Sequence, residues 1–283
     1  MIPFYTILSL IFFTSTIYAK PFYGLNYGIN RENCPSLEMI TNDFEVLKTY
    51  TDIVRIYTLK DCNLGDLAIT AAENVGLRLY LGMWVDRYGT FDQEFAALEN
   101  IQDRLDQVIE GVIVGSEVNY RGDVPPAILA SYIKRVKQMV QDVKVTTSDV
   151  YYKFAPEVVR EVDYLMMNAF PYWEGVSIEG AASTLYDHYI SAQEVADGKP
   201  VLISETGWPD WGSTFERSVP SPENHAKFLL DTLCMTRKHN IDMIWFSAMD
   251  EPYKPDVEAH FGLLDANRAL KSNINYHQLI NTC

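Results

Sequence analysis

Eight short apolar segments alternate with amphipathic ones along the chain, and this pattern restricts the fold more than any other feature of the sequence. Each apolar segment is rich in Val, Ile, Leu and Tyr on both faces, which is typical of strands buried in a parallel sheet. The predicted strands are residues 23–27, 53–57, 78–83, 111–115, 143–147, 164–169, 201–205 and 243–248.

The segments between these strands have the apolar spacing of helices that cover a sheet. Ser36, Pro125-Pro126 and Ser221-Pro222 are suitable helix starts, since Ser favours the N-cap and Pro the first turn. The apolar faces behind them are Leu37, Ile40, Phe44 and Leu47; Leu129, Ile133, Val136 and Val140; and Ala226, Leu229, Leu230 and Leu233. Helices therefore alternate with the strands.

Eight strand–helix units in about 250 residues are typical of a closed (β/α)8 TIM barrel. The alternative α/β fold, an open doubly wound sheet, more often carries a glycine-rich phosphate loop after its first strand. Here residues 23–28 read YGLNYG, without a glycine-rich continuation into a helix. The sequence, which has no linker or repeat, predicts a single-domain TIM barrel.

The first 19 residues differ from the rest of the chain. Residues 7–13 are almost entirely apolar but too few to span a bilayer, and Ala19 offers a cleavage point before Lys20. We interpret residues 1–19 as a signal peptide and residues 20–283 as the mature domain of a secreted protein. An N-terminal anchor helix or a buried strand is the alternative.

The four cysteines are compatible with an oxidising compartment and match no zinc pattern. They allow three pairings. Cys34 and Cys62 follow neighbouring predicted strands, and Cys234 and Cys283 belong to the last two helical segments. We therefore predict the disulfides Cys34–Cys62 and Cys234–Cys283.

The formal net charge of −15 argues against two classes of partner. Nucleic acids and anionic membranes would be repelled by such a surface, whereas a neutral polymer would not. We expect a monomer that binds neither.

Two glutamates each close an apolar strand, where a carboxylate is costly to desolvate unless it has a partner or a task. Glu117 follows the fourth strand and Glu205 ends the seventh. TIM-barrel active sites lie at these strand ends, and a pair of carboxylates is the catalytic set of glycoside hydrolysis. Two structural, ion-paired glutamates are the alternative. The distance between the carboxylates decides between retention and inversion.

Six ordered motifs resemble glycoside hydrolase family 17, the β-1,3-glucanases and glucanosyltransferases of fungi and plants. They read YGLNYG (23–28), VRIY (54–57), VGSEV (114–118), NAFPYW (168–173), SETGWP (204–209) and DEPYK (250–254) and extend from the first strand to beyond the last. The resemblance implies a retaining mechanism on β-1,3-glucan without a metal or cofactor. It assigns Glu117 as acid/base and Glu205 as nucleophile, and it makes residues 20–283 the catalytic domain.

Two departures from the plant members favour the fungal branch. Plant members carry Asn before the acid, whereas this chain has Ser116, and the chain is too short for the extra plant subdomain. We expect hydrolysis with possible transglycosylation, in the extracellular space or cell wall. A non-catalytic glucan-binding wall protein and a barrel glycosidase for another β-glycan, such as mannan or cellulose, are the alternatives.

Further candidate substrate-binding residues lie near the strand ends. Phenols and indoles can also be ordinary barrel core, and a Glu–Lys pair can be a surface ion pair. The candidates are Tyr27, Tyr57 and Tyr172 as phenols near the glutamates; Trp208, Trp211 and Trp173 for stacking on glucose; and Ser116, Asn168, Glu251 and Lys254 for bonding sugar hydroxyls.

Overall fold

The protein is described here by a computed structural model that covers residues 20–283; the predicted signal peptide, residues 1–19, lies outside the described residues. Eight parallel strands form a closed barrel in sequence order, with the first strand paired to the last. The predicted single-domain TIM barrel is confirmed. Within residues 20–283, no helix has the length and apolar character needed to cross a membrane.

The strands are short, and helices or loops follow each one. The strands are β1 Gly24–Asn26, β2 Ile53–Ile56, β3 Arg78–Met83, β4 Ile109–Ser116, β5 Val145–Val150, β6 Leu165–Asn168, β7 Val201–Thr206 and β8 Met243–Trp245. The α-helices are α1 Leu37–Leu47, α2 Leu64–Val75, α3 Phe91–Asn100, α4 Leu105–Val108, α5 Val118–Arg121, α6 Pro126–Val140, α7 Pro156–Glu161, α8 Ile178–Val195, α9 Pro222–His239 and α10 Tyr276–Asn281. Short 3₁₀ helices occupy Asp61–Asn63, Gln102–Arg104, Pro171–Glu174 and Asp256–His260.

The predicted helix starts are present in the structure. Ser36 Oγ accepts a hydrogen bond from the Met39 amide at 3.2 Å, and Ser221 Oγ accepts one from the Asn224 amide at 3.1 Å. Pro126 and Pro222 are the first residues of α6 and α9. Local sequence therefore determines where these helices begin.

Strand β5 differs most from its predicted bounds, since it begins two residues later and extends three residues further than residues 143–147. The added residues include Ser148 and Asp149, which are polar and yet fully buried. An apolar pattern misses them because their polarity is compensated by hydrogen bonds inside the fold. Strand β8, predicted to reach residue 248, ends at Trp245.

The barrel interior is apolar at one end and polar at the other. The apolar layer consists of Ile53, Tyr80, Ile113, Met166, Leu202 and Ile244. Because side chains two residues apart on a strand share a face, Ile53, Met166 and Leu202 are followed on the inner face by Arg55, Asn168 and Ser204. The polar layer therefore lies at the C-terminal ends of the strands, where TIM barrels place their active sites.

Both disulfides in the structure have the predicted pairing. Cys34 and Cys62 are joined with a Cα–Cα distance of 5.4 Å, and they link the segments that follow β1 and β2. Cys234 of α9 is joined to Cys283, with a Cα–Cα distance of 5.2 Å. The second bridge ties the chain end to the outer helical layer.

Candidate active site

A cleft of about 830 Å³ opens at the C-terminal ends of the strands, and both predicted glutamates line it. Its walls are rich in aromatic side chains, which suits the apolar faces of sugar rings. The aromatic lining residues are Tyr27, Tyr57, Trp84, Tyr120, Tyr151, Tyr152, Phe170, Trp173, Phe246 and Phe261.

The Glu205 carboxylate is held in place by an ion pair and a hydrogen bond. Its Oε1 accepts a hydrogen bond from Nη1 of Arg55 at 2.7 Å and one from Ser116 Oγ at 3.3 Å. Among the described residues, Oε2 accepts no hydrogen bond, and the carboxylate faces the cleft. One oxygen is therefore held in place while the other is free to react.

Arg55 holds this arrangement from inside the barrel. Its side chain is almost completely buried, and it also donates to the Ser204 carbonyl at 3.1 Å and to Ser116 Oγ at 3.2 Å. A buried guanidinium is stable only when paired with a charge and hydrogen-bonded, so Arg55 and Glu205 depend on each other. Arg55 belongs to the VRIY motif (54–57), but the sequence predicts no role for it. The signal was a charged residue within an apolar strand, as for the glutamates.

Glu117 occupies a different environment. Its Oε1 accepts a hydrogen bond from Asn168 Nδ2 at 3.1 Å, and its Oε2 lies 4.0 Å from Nη1 of Arg121. Burial and then the negative charge of Glu205 raise the pKa of the Glu117 carboxyl, despite the opposing effects of Asn168 and Arg121. Glu117 therefore keeps its proton to higher pH than an ordinary glutamate.

Asn168 and Ser116 contact the glutamates. Asn168 Oδ1 accepts hydrogen bonds from Ser148 Oγ and Ser204 Oγ, both at 2.7 Å, which directs its amide group towards Glu117. Ser116 Oγ is engaged with Arg55 and Glu205. Both were predicted to bond sugar hydroxyls, and in the structure their polar atoms position carboxylates. The supporting serines of β5 and β7 were missed because a lone Ser in a strand carries no distinctive signal.

The Tyr57 side chain lines the cleft. Its hydroxyl is buried and has no hydrogen-bond partner among the described residues, and its ring lies against the Arg55 guanidinium at 4.6 Å. Burial and then the charge of Glu205 raise the pKa of the Tyr57 phenol. The Tyr57 hydroxyl therefore stays neutral, and the hydrogen bonds to Glu205 come from Arg55 and Ser116 instead.

Tyr27 and Tyr172 were predicted to offer phenols near the glutamates, but their hydroxyls bond other groups. The Tyr27 ring lines the cleft, but its hydroxyl donates to Asp43 Oδ2 at 2.7 Å. Tyr172 is fully buried, and its hydroxyl donates to the Ser213 carbonyl. The Tyr27 hydroxyl ties the segment after β1 to α1, and the Tyr172 hydroxyl ties the segment after β6 to the segment after β7, because a buried hydroxyl must find a nearby acceptor.

The tryptophans are distributed differently from the prediction. Trp208 is 0% exposed, packs edge-on against Tyr172, and donates from Nε1 to the Val219 carbonyl at 3.0 Å, so its assignment to sugar stacking is wrong. Trp211 is 64% exposed and packs on His260, but it does not line the cleft. Trp173 is 44% exposed and does line it.

Glu251 and Lys254 form an ion pair at the cleft wall. Lys254 Nζ lies 2.6 Å from Glu251 Oε2, and the Tyr253 hydroxyl donates to Oε1. Glu251 lies so close to Gly28 that a Cβ there would come within 2.0 Å of Oε1. Both charged residues line the cleft as predicted, and the buried carboxylate is neutralised by its partner.

Asp210, Asp250 and His260 form a second polar cluster with the spacing of metal ligands. Lys271 Nζ lies 2.9 Å from Asp210 Oδ2 and 2.8 Å from Asp250 Oδ1. The lysine cation therefore offsets part of the negative charge of the cluster and ties the loops after β7 and β8 to the C-terminal segment.

A TIM barrel with two carboxylates of unlike environment at the mouth of an aromatic cleft is typical of the glycoside hydrolases. The chain belongs to the BtgE/BtgC glycoside hydrolase family, whose domain it matches over residues 24–262. This confirms the expected family relationship and places the matched region across the whole barrel.

Known relatives agree with this assignment. The chain is 31% identical to a glucan 1,3-beta-glucosidase of Arthroderma benhamiae, over 95% of this chain and 96% of that protein. The crystal structure of a glycoside hydrolase family 17 beta-1,3-glucanosyltransferase from Rhizomucor miehei is similar at 53% identity, with a TM-score of 0.88 over 90% of this chain and 97% of that chain. An active-site mutant of that enzyme, solved with laminaritriose, aligns equally well.

The different surroundings of Trp208 and Trp173 generate a prediction. Trp208→Ala should lower the free energy of unfolding by about 3–5 kcal/mol because it leaves a large cavity. Trp173→Ala should lower the free energy of unfolding by only about 1 kcal/mol and should weaken laminarin binding, because its half-buried ring lies at the cleft surface. Urea unfolding and calorimetric titration with laminarin measure the two effects. Equal destabilisation by both substitutions would contradict the assignment.

Proposed function

We propose that the protein is a retaining glycosidase acting on β-1,3-glucan, with Glu117 as general acid/base and Glu205 as nucleophile. The observation that carries this proposal is the unequal environment of the two carboxylates. The raised pKa of Glu117 favours its protonated form, and Arg55 holds Glu205 as an ion-paired carboxylate. Enzymes assign acid and nucleophile roles to paired carboxylates by separating their environments in this way.

The first step forms a glycosyl–enzyme ester. The free Oε2 of Glu205 attacks the anomeric carbon, the bond from that carbon to the bridging oxygen breaks, and the proton of Glu117 passes to the departing oxygen. Arg55 and Ser116 hold the other oxygen of Glu205, which restricts the carboxylate to one orientation.

The second step regenerates the enzyme. Glu117, now a carboxylate, takes a proton from an acceptor hydroxyl, whose oxygen attacks the anomeric carbon and releases Glu205. Water as the acceptor gives hydrolysis, and the 3-hydroxyl of a second glucan gives chain transfer. The aromatic walls beside Glu117 offer stacking surfaces for a second sugar chain.

The substrate assignment rests on the relatives. The curated relatives are named glucan 1,3-beta-glucosidases, and the Rhizomucor miehei enzyme is named a beta-1,3-glucanosyltransferase and binds laminaritriose in its mutant form. We infer that this protein performs transfer as well as hydrolysis, because its identity to the transferase is the higher of the two.

Substitution of each glutamate tests the assigned roles. Glu205→Gln should abolish laminarin turnover, because an amide forms no glycosyl ester. Glu117→Gln should lower turnover about 10²–10⁴-fold, the usual contribution of general acid–base catalysis. Proton NMR of fresh products should show the β-anomer first. Glu110→Gln, at the opposite end of β4, is the matched control and should retain wild-type activity. Turnover by Glu205→Gln, or an initial α-anomer, would refute the mechanism.

Product analysis tests the substrate and the acceptor. A reduced β-1,3-glucan oligosaccharide should yield products both shorter and longer than the starting chain, because transfer regroups glucosyl units. Mass spectrometry of the mixture reads both sets. Only shorter products would restrict the activity to hydrolysis, and activity confined to β-1,4- or β-1,6-glucan would overturn the substrate assignment.

We also propose that residues 1–19 direct secretion and that the mature enzyme acts outside the cell or in its wall. The two disulfides support this location, since such bonds persist in oxidising compartments. Intact mass measurement of protein secreted by a eukaryotic host should give an N-terminus near Lys20. Retention of residues 1–19 in the secreted protein would contradict cleavage.

A further inference from the structure

The backbone of Glu117 has an unusual conformation. Its φ of 58° and ψ of 30° are left-handed, which is unfavourable for a non-glycine residue by about 1–2 kcal/mol. Its amide donates to the Ser148 carbonyl at 2.8 Å, and its own carbonyl accepts from the Arg121 amide at 2.9 Å. Such a conformation persists only where the surroundings hold it, and here it turns the chain from β4 directly into α5.

The first turn of α5 is capped from the neighbouring strand. Glu117 occupies the N-cap position, but its side chain caps nothing. Instead Asp149 of β5 accepts from the Asn119 amide at 2.9 Å through Oδ2 and from the Tyr120 amide at 3.3 Å through Oδ1. The Asp149 side chain is fully buried on the outer face of the barrel wall. Because Asp149 supplies the cap, the Glu117 carboxyl is free to face the cleft.

The carboxyl group of Asp149 has a raised pKa. Burial raises the pKa of the Asp149 carboxyl to about 7, three backbone amides oppose this rise, and the charge of Glu117 adds to it. A carboxyl group with this raised pKa is largely uncharged at acidic pH, so Asp149 acts on Glu117 through the hydrogen bonds of the cap. The charged groups that act on Glu117 are Glu205 of β7, Arg55 of β2 and Arg121 of α5.

We propose that Asp149 is a positioning residue for the general acid: its side chain caps the turn that directs Glu117 into the cleft. The inference rests on the proposed acid/base role of Glu117. It adds a residue outside the cleft lining, on the opposite face of the barrel wall from Ser148.

A purely structural cap is the competing explanation, and leaving-group chemistry separates the two. A dinitrophenyl leaving group departs without protonation, so its release does not need a well-placed acid. A positioning defect should therefore slow the cleavage of laminarin and spare the dinitrophenyl glycoside, whereas general loosening of the fold should slow both.

The test compares Asp149→Asn with wild type on laminarin and on 2,4-dinitrophenyl β-laminaribioside. We expect kcat/KM for laminarin to fall about tenfold or more, the scale of a small misplacement of a catalytic group. For the dinitrophenyl glycoside, kcat/KM should stay within about threefold, since it reports only the first step.

Two further variants make the result decisive. Asp163→Asn removes another carboxylate that accepts a hydrogen bond from a backbone amide, that of Val145 in β5 at 2.7 Å, and it should leave kcat/KM unchanged for both substrates. Glu117→Ala must itself show the leaving-group dependence; if it does not, the proposed function fails. If Glu117→Ala shows it and Asp149→Asn loses equal activity on both substrates, or none on laminarin, the positioning role is refuted.

Discussion

The active site depends on one buried ion pair, between Arg55 of β2 and Glu205 of β7. The guanidinium lies inside the barrel, where an unpaired charge would be costly, and it uses its donors on Glu205, Ser116 and the Ser204 carbonyl. The same contacts that make a buried Arg55 tolerable also fix Glu205, the proposed nucleophile, and link three strands. Stability and reactivity therefore rest on the same hydrogen bonds.

The division of the barrel interior places this pair. An apolar layer fills one end, and the next inward-facing positions carry Arg55, Asn168 and Ser204 at the other. Because the eight strands of this barrel are parallel, their polar C-terminal ends converge at one mouth. Side chains far apart in sequence, such as Ser116 and Glu205, thus come within 3.3 Å.

The two glutamates have the same chemistry and acquire different roles from their surroundings. Glu205 faces a cation, whereas Glu117 is buried, faces the charge of Glu205, and accepts one amide from Asn168. Asp149 acts from the outer face of the barrel wall, where its side chain caps the turn that carries Glu117. Glu117, the proposed acid, is thus held by contacts on both faces of the strand pair β4 and β5.

The sequence by itself determined the barrel fold, the helix starts at Ser36 and Ser221, and the position of both glutamates at strand ends, because periodicity, capping and charges in apolar strands are local patterns. The disulfide pairing followed from the order of the predicted strands and helices. Tertiary structure decided how individual side chains are used. Trp208 and Trp173 lie in equally suggestive motifs, yet one is core and the other lines the cleft, since exposure depends on what packs above a residue. Asp149 and Ser148 were missed for the same reason: their hydrogen-bond partners lie on β6 or directly after β4, and only the pairing of β5 with these neighbouring strands brings them together.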